Sequence, residues 1–267
     1  YFVWIAFRDI FQISEQPFYI KQTGLMQAKP VEILKKYWGF DSFRPLQEEI
    51  INSVLEKKDT LALLPTGGGK SVCFQVPAMC MDGLCLVVTP LVALMTDQVE
   101  NLRRRGIVAV EMHSGMHPRE IEMGFEKCAD GRAKFLYLSP ERLETRKFME
   151  MLRGINVTLI AVDEAHCISQ WGYDFRPPYL RISEVRDIFP HTPVLALTAT
   201  AVPRVVDDIQ LKLEFQKKNV FSKSFVRKNL AYVVSREEDK IKKLLRVCNG
   251  VKGCGIIYVR NRRLTKE

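Results

Sequence analysis

The chain has 267 residues, of which 47% are hydrophobic and 27% charged, which is typical of a globular protein with one large domain or two smaller ones. No apolar run reaches the length that a membrane span needs, so we expect a soluble protein without membrane contact. The formal net charge of +9 indicates a polyanionic partner, and the seven cysteines lack zinc-ligand spacing and are interpreted as reduced core thiols.

The first 25 residues differ from the rest of the chain. They are rich in aromatic residues and lack the charged start and the cleavage site of a signal peptide. A far more regular pattern follows Met26. We therefore interpret residues 1–25 as an atypical extension and Met26 as the natural start of the protein.

Beyond residue 30, apolar runs alternate with amphipathic segments. A helix that ends at Gly39 is predicted first, and a second helix begins near Pro45. Predicted strands then cover residues 61–64, 84–89, 107–112, 135–138, 157–162 and 194–197. Predicted helices cover residues 91–105, 118–128, 145–152, 179–188 and 202–213. This alternation indicates an α/β fold with a mostly parallel sheet that helices cover on both faces, and ligands of such folds bind at the carboxyl ends of the strands.

A glycine-rich loop follows the first predicted strand. It consists of Thr66, Gly67, Gly68, Gly69, Lys70 and Ser71. Glycines let backbone N–H groups approach anionic oxygens, because no Cβ atom blocks the approach. The loop predicts a phosphate site in which Lys70 contacts the β- and γ-phosphates and the Ser71 hydroxyl holds Mg²⁺. Leu64 stands where the general P-loop pattern has its first glycine, and a glycine-rich turn with an exposed lysine is the alternative.

An acid pair follows the predicted strand 157–162, in the sequence Asp163-Glu164-Ala165-His166. An apolar strand that ends in two acids is typical of the second half of a nucleotide site. Asp163 is predicted to hold the magnesium ion, and Glu164 to orient and activate the attacking water. His166 is predicted to relay the state of the site to its surroundings. Taken alone, the four residues are also compatible with the start of a surface helix.

Two hydroxyl residues end the predicted strand 194–197, as Thr198-Ala199-Thr200. They are expected at the same edge of the sheet as Asp163, because the carboxyl ends of parallel strands share one edge. The tripeptide has little specificity by itself. Beside the acid pair it predicts a connection between the nucleotide site and a nucleic-acid site.

The order and spacing of these motifs resemble those of the RecQ DNA helicases, over about residues 30–267. Ahead of the glycine loop, the stretch from Trp38 to Gln47 is similar to the adenine-recognition element of that family. The resemblance implies that Gln47 reads the adenine edge, with Arg44 nearby and Phe40 at the stacking position. A glutamine amide offers both a donor and an acceptor, which fits adenine.

Residues 167–179 look like the family's aromatic-rich loop, which couples DNA binding to ATP hydrolysis. Trp171, Phe175 and Arg176 combine stacking rings with a cation, as single-stranded nucleic acid requires. A core aromatic cluster is the alternative, although the polar residues and prolines of the segment are poor core material. Tyr173 and Pro178 depart from the family, which usually has histidine and glutamate there.

Further stretches resemble other parts of the same motor. Residues 89–98, which end at Gln98, and residues 139–143 are similar to elements that line the DNA groove. Later patterns look like the link into a second motor domain and its beginning: a strand at 230–234, a helix at 239–247 and a buried strand at 255–259. The predicted division is a first RecA-like motor domain over residues 26–222, followed over residues 223–267 by a linker and the start of a second RecA-like domain.

The resemblance implies an ATP-dependent DNA helicase that uses ATP and Mg²⁺ to move 3′–5′ on single-stranded DNA and to unwind forked duplexes in repair or recombination. Its location is then cytoplasmic at the bacterial nucleoid, or nuclear in a eukaryote. We expect residues 1–267 alone to bind ATP and DNA weakly and not to unwind. Two alternatives stay open: a nucleic-acid-stimulated ATPase that remodels DNA–protein complexes, and a non-catalytic nucleotide- or nucleic-acid-binding module.

Overall fold

A seven-stranded sheet forms the centre of the protein. The computed structural model describes residues 29–223, 233–251 and 253–258. In chain order the strands are β1 (Thr60–Leu63), β2 (Leu84–Val88), β3 (Ala109–Met112), β4 (Phe135–Leu138), β5 (Val157–Val162), β6 (Val194–Thr198) and β7 (Val220–Ser222). Each neighbouring pair in the order β3-β4-β2-β5-β6-β1-β7 is parallel. The predicted parallel sheet is confirmed.

Helices lie between the strands, as the alternating pattern predicts. They are α1 (Pro30–Trp38), α2 (Gln47–Leu55), α3 (Lys70–Cys80), α4 (Val92–Arg104), α5 (Pro118–Ala129), α6 (Arg146–Leu152), α7 (Ile182–Ile188), α8 (Pro203–Lys212) and α9 (Lys240–Gly250). Helix α1 ends where Gly39 takes the left-handed conformation with φ of 73° and donates its N–H to Lys35 O. The helix closure predicted at Gly39 is therefore confirmed.

Two hydrophobic layers cover the sheet, one on each face. Leu61 and Leu63 of β1 belong to the layer that α5, α6, α7 and α8 complete, whereas Ala62 and Leu64 belong to the layer completed by α2, α3 and α4. Alternate residues of a strand point to opposite faces, so a strand buried on both sides is apolar at every position. This burial explains why continuous apolar runs predict these strands.

The parallel register brings the functional segments to one edge. Leu63 pairs with Thr198 and Val88 with Val162, so β1, β2, β5 and β6 end at the same side of the sheet. The glycine loop, the acid pair and the Thr198–Thr200 stretch follow these strand ends. None of the described helices combines the length and the apolar composition that a bilayer crossing requires.

Some element boundaries differ from those predicted. Helix α2 begins at Gln47, two residues after Pro45, because Leu46 takes a left-handed φ of 70° just before the first turn. The predicted helix 179–188 is split into a 3-10 segment, Pro177–Arg181, and α7. The short edge strand β7 was not predicted; it spans three residues, too few for a clear alternation.

The described residues beyond 225, which are 233–251 and 253–258, form a separate unit. Helix α9 confirms the predicted helix 239–247, and the Asp239 side chain caps it by accepting a hydrogen bond from Lys242 N at 3.0 Å. The buried strand predicted at 255–259 is wrong for its described part, because residues 255–258 form no strand and Ile256 is 81% exposed. The described residues of this unit contain no other strand with which to pair. Residues 230–232 and Val259 lie outside the described residues, and Val233 and Val234 are not in a strand.

Candidate nucleotide and nucleic-acid site

The glycine loop connects the end of β1 to the first turn of α3. Gly67 and Gly69 have φ values of 76° and 79°, in the left-handed region that favours glycine. A Cβ atom at Gly69 would lie 2.4 Å from Gln47 Nε2, and one at Gly68 would lie 2.7 Å from Pro65 O. Helix α3 has no side-chain cap, so its first N–H groups are available to an anion.

Two residues of the predicted adenine element hold this loop. The Arg44 guanidinium donates to Gly67 O at 2.6 Å, and Gln47 Nε2 donates to Gly69 O at 3.0 Å. Gln47 Oε1 accepts from Arg44 N at 2.9 Å, so both ends of the buried amide are engaged. The Phe40 ring is 52% exposed and free to stack. Reading of adenine by Gln47 and stacking by Phe40 remain predictions.

The loop lysine faces the acid pair. Lys70 Nζ lies 3.6 Å from Glu164 Oε1, which joins the start of α3 to the end of β5. Glu164 has a left-handed φ of 47°, uncommon for a residue with a side chain and frequent at functional sites. A hydrogen bond from His166 is the largest cause that lowers the pKa of Glu164, and Lys70 acts in the same direction. The carboxylate of Glu164 is thus kept ionised.

Asp163 is more deeply buried than its neighbour. Its carboxylate accepts a hydrogen bond from Glu164 N at 3.0 Å, and its backbone carbonyl accepts one from Tyr179 at 2.9 Å. Burial is the largest cause that raises the pKa of Asp163, and the charge of Glu164 adds to it. Lys70 and a hydrogen bond from Gln98 act in the opposite direction.

The residues present fit a magnesium nucleotide. A loop that a Cβ atom would obstruct, an uncapped helix start and Lys70 provide the donors that phosphates need. Ser71 and Asp163 offer a hydroxyl and a carboxylate, the oxygen ligands that Mg²⁺ prefers. The predicted phosphate residues therefore come together in the structure, at the predicted edge of the sheet.

His166 lies at the centre of the connections that leave the acid pair. Its Nδ1 atom is 3.0 Å from Thr198 Oγ1 and 3.3 Å from Glu164 Oε2. Its ring stacks on the Tyr173 ring with centroids 4.7 Å apart and planes 21° apart. The Tyr173 hydroxyl is in turn 3.1 Å from Thr200 Oγ1. Tyrosine at this position therefore contacts both His166 and the end of β6.

In the aromatic-rich loop, Trp171 and Arg176 contact different parts of the protein. Trp171 is 55% exposed, and the Arg204 guanidinium lies 3.2 Å from the centre of its ring. Arg176 pairs with Asp174 at 3.1 Å and donates to Pro90 O at 3.1 Å, which ties the loop to the end of β2. Phe175 is half-buried, as is Pro178.

Several residues at the site were not singled out from the sequence. Arg204 stands in a helix start with no motif, and Tyr137 looks like one more core residue of β4. Gln98, predicted in the DNA groove, accepts a hydrogen bond from the Tyr137 hydroxyl at 3.1 Å and bonds to Asp163. No local pattern reveals these contacts, because 39 residues separate Gln98 from Tyr137 and 33 separate Trp171 from Arg204.

A glycine loop, an acid pair and a hydroxyl-bearing strand end at one sheet edge define a helicase motor domain. In agreement, the DEAD/DEAH box helicase family model matches residues 44–209. The chain belongs to the DEAD/DEAH box helicase family.

Within that family the resemblance to the RecQ helicases is confirmed. The chain is 41% identical over 244 residues to the ATP-dependent DNA helicase RecQ of Pasteurella multocida, covering 91% of this chain and 38% of that protein. It is 42% identical over 244 residues to the probable ATP-dependent DNA helicase RecS of Bacillus subtilis, covering 90% and 49%. The ATP-dependent DNA helicase Q1 of Rattus norvegicus is 38% identical over 244 residues, with 86% and 38% covered. The chain thus spans less than half the length of these relatives.

Solved helicase structures share the fold. The crystal structure of the DUF1998 helicase MrfA aligns with a TM-score of 0.68 at 16% identity, over 91% of this chain and 40% of that one. The helicase domain of Hef from Pyrococcus furiosus aligns with a TM-score of 0.52 at 22% identity, over 67% and 38%. The predicted RecA-like fold is confirmed.

Proposed function

We propose that the chain is the ATP-binding motor domain of an ATP-dependent DNA helicase. Magnesium-ATP hydrolysis here drives movement on single-stranded DNA and strand separation, 3′–5′ by the resemblance to RecQ. The observation that carries the proposal is the approach of Lys70 to Glu164 at 3.6 Å across the glycine loop. It puts a phosphate-binding cation and a carboxylate on opposite sides of one small volume.

Each residue has a distinct task in this proposal. The N–H groups of the glycine loop and the Lys70 ammonium bind the phosphates, and Ser71 and Asp163 hold the magnesium ion. When bound, magnesium neutralises charge that develops on the phosphate oxygens. Glu164 orients the attacking water and accepts its proton, which its lowered pKa permits at neutral pH.

The connection to DNA runs through the His166 ring. His166 contacts Glu164 on one side and stacks on Tyr173 on the other, and Tyr173 belongs to the loop that carries Trp171. A change at the γ-phosphate that moves Glu164 therefore moves the stack. Trp171 offers an exposed ring to a base, and the net charge of +9 favours a phosphate backbone. The protein then acts where its DNA is, at the bacterial nucleoid or in a nucleus.

The first test measures nucleotide binding. Lys70→Ala removes the cation that faces the phosphates, and we expect it to weaken ATP affinity at least tenfold in calorimetry with magnesium. Lys218→Ala is the control, because Lys218 pairs with the exposed Asp207 away from this sheet edge. Equal ATP affinity for wild type and Lys70→Ala would show that the phosphates bind elsewhere.

A second measurement separates the helicase from the remodelling ATPase. The full-length protein is assayed for ATP hydrolysis with single-stranded DNA and for strand separation on a forked duplex. We expect both activities. Stimulated hydrolysis without strand separation would favour the remodelling ATPase, and nucleotide binding without hydrolysis would favour the non-catalytic module.

A further inference from the structure

A chain of hydrogen bonds between side chains leads toward the Asp163 carboxylate. Gln75 Nε2 donates to the Tyr137 hydroxyl at 3.1 Å, and that hydroxyl donates to Gln98 Oε1 at 3.1 Å. The Gln98 side chain lies beside the Asp163 carboxylate and lowers its pKa through a hydrogen bond, and with Gln75 it lines the same small cavity as Ser71. Three side chains thus connect α3, β4 and α4 to the end of β5.

Burial makes these contacts necessary. Tyr137 is fully buried, and Gln75 and Asp163 are also in the core. A buried polar group without a hydrogen bond is costly, so none of these groups is easily released. Tyr137 belongs to the hydrophobic layer that α2, α3 and α4 complete, where an apolar residue would need no hydrogen-bond partner.

The donors fix the direction of this chain. Gln98 Oε1 accepts from Tyr137, so the NH₂ group is the part of the amide that is left to face Asp163. Tyr137 must then donate to Gln98, and its oxygen is left to accept from Gln75. Every donor points toward Asp163, and hydrogen bonds arranged in one direction strengthen one another.

The first member of the chain lies beside the other predicted magnesium residue. Gln75 stands four residues after Ser71, one turn farther along α3. The helix that carries the Ser71 hydroxyl is thereby tied, through Tyr137 and Gln98, to the carboxylate of Asp163. The two groups expected to hold magnesium belong to one connected network.

We propose that Gln75, Tyr137 and Gln98 are positioning residues that hold the Asp163 carboxylate ready for Mg²⁺. This inference rests on the proposed function, because it names the support of the same metal site. It also gives Gln98 a different task from the one its sequence motif predicts. Gln98 Oε1 accepts from Tyr137 and the side chain lies beside Asp163, so in this proposal Gln98 serves the magnesium site and not the DNA groove.

The test uses two variants and one control in the 267-residue chain. Tyr137→Phe removes the central hydroxyl and keeps the ring, and Gln98→Met keeps the length of the side chain without its amide. Thr60→Val is the control, since it also removes a buried hydroxyl, one that contacts Ser53 and Asn219 at the opposite end of β1. A purely structural loss affects all three variants alike.

The readout is the magnesium concentration that gives half-maximal binding of a fluorescent ATP analogue. We expect Tyr137→Phe and Gln98→Met to raise it about tenfold or more, the usual effect of removing a group that orients a metal ligand. Thr60→Val leaves it unchanged, and binding without magnesium stays equal in all variants because Lys70 and the glycine loop are intact.

The outcomes distinguish this inference from the proposed function. If the wild-type chain shows no magnesium-dependent nucleotide binding, the proposed function itself fails. If the wild type binds but both variants keep the control's magnesium dependence, the positioning role is overturned and the proposed function stands. A loss of single-stranded DNA affinity in Gln98→Met, with unchanged magnesium dependence, would return Gln98 to the DNA groove.

Discussion

His166 connects the acid pair to the end of β6 and to the aromatic-rich loop. It bonds Glu164 and Thr198 through one ring nitrogen and carries Tyr173 on its face. The resemblance to the RecQ helicases implies a histidine at the position of Tyr173. The stack on His166 needs only a flat ring, and the tyrosine hydroxyl adds a contact to Thr200, so the substitution preserves a physical connection at this point.

Replacing His166 is expected to change the pH dependence of hydrolysis. The hydrogen bond from His166 is the largest cause that lowers the pKa of Glu164, so in His166→Ala that pKa rises. A base acts only when ionised, and a higher pKa therefore moves the acidic limb of the pH–rate profile to higher pH. We expect this shift in kcat of the full-length protein, with nucleotide affinity at neutral pH retained. An acidic limb at the wild-type pH would mean that Glu164 is not the base.

The positions of single functional residues were predictable where the residues form a motif that is contiguous in sequence. The glycine loop and the acid pair are each contiguous in sequence, and both follow a buried strand, so Lys70, Asp163 and Glu164 could be placed at one edge. Gln75 and Tyr137 could not, because 62 residues separate them and each looks like ordinary core. The same holds for Arg204, whose contact with Trp171 depends on how α8 packs.

At the scale of elements, the aromatic-rich loop depends on Gly172, a residue that no motif of the sequence marks. A Cβ atom at Gly172 would lie 2.7 Å from His166 O and 3.2 Å from Ser169 O. Both atoms are backbone, so neither can turn away as a side chain does. The absence of a Cβ at Gly172 is what lets the loop return to the acid-pair segment.

Gly172→Ala is expected to uncouple ATP hydrolysis from the binding of single-stranded DNA. The added methyl group pushes the loop from residues 166–169, which breaks the stack of Tyr173 on His166. We expect ATP affinity to be kept and the stimulation of hydrolysis by single-stranded DNA to fall at least tenfold in the full-length protein. Gly154→Ala is the matched control, because its Cβ atom meets nothing closer than Met151 O at 3.7 Å. Equal stimulation in both variants would show that the stack does not connect the sites.

Elements were predictable where burial produces an unbroken pattern. The central strands are apolar at every position because helices cover both faces, and such runs are visible in the sequence. The starts of helices were harder to predict, since the left-handed turn at Leu46 follows from packing and not from a turn residue. The sequence at 255–259 is as apolar as that of the central strands. A strand forms only where a neighbouring strand pairs with it, however, and the described part of this segment is exposed.

At the scale of the whole molecule, the two edges of the sheet have different tasks. The carboxyl edge carries the proposed nucleotide site, and the amino edge carries a buried ion pair. The Arg186 guanidinium forms two hydrogen bonds with Asp59, at 2.8 and 3.1 Å, and both side chains are 6% exposed. Asp59 also accepts hydrogen bonds from Val194 N and Gln216 N, at 3.0 and 3.2 Å. One carboxylate thus joins the start of β1 to α7, β6 and the segment before β7.

Removing Asp59 should therefore cost stability without altering the chemistry. Asp59→Ala leaves Arg186 buried without its counter-ion, and breaking a buried pair in this way costs about 3–5 kcal/mol. The free energy of unfolding of the 267-residue chain, from urea denaturation, measures the loss. Asp207→Ala removes the exposed partner of Lys218, with side chains 62% and 76% exposed, and should cost less than about 1 kcal/mol. Below its unfolding midpoint, Asp59→Ala should bind magnesium-ATP as the wild type does, because the strands separate the pair from the glycine loop. A lower affinity in the folded variant would show that the amino edge also sets the geometry of the nucleotide site.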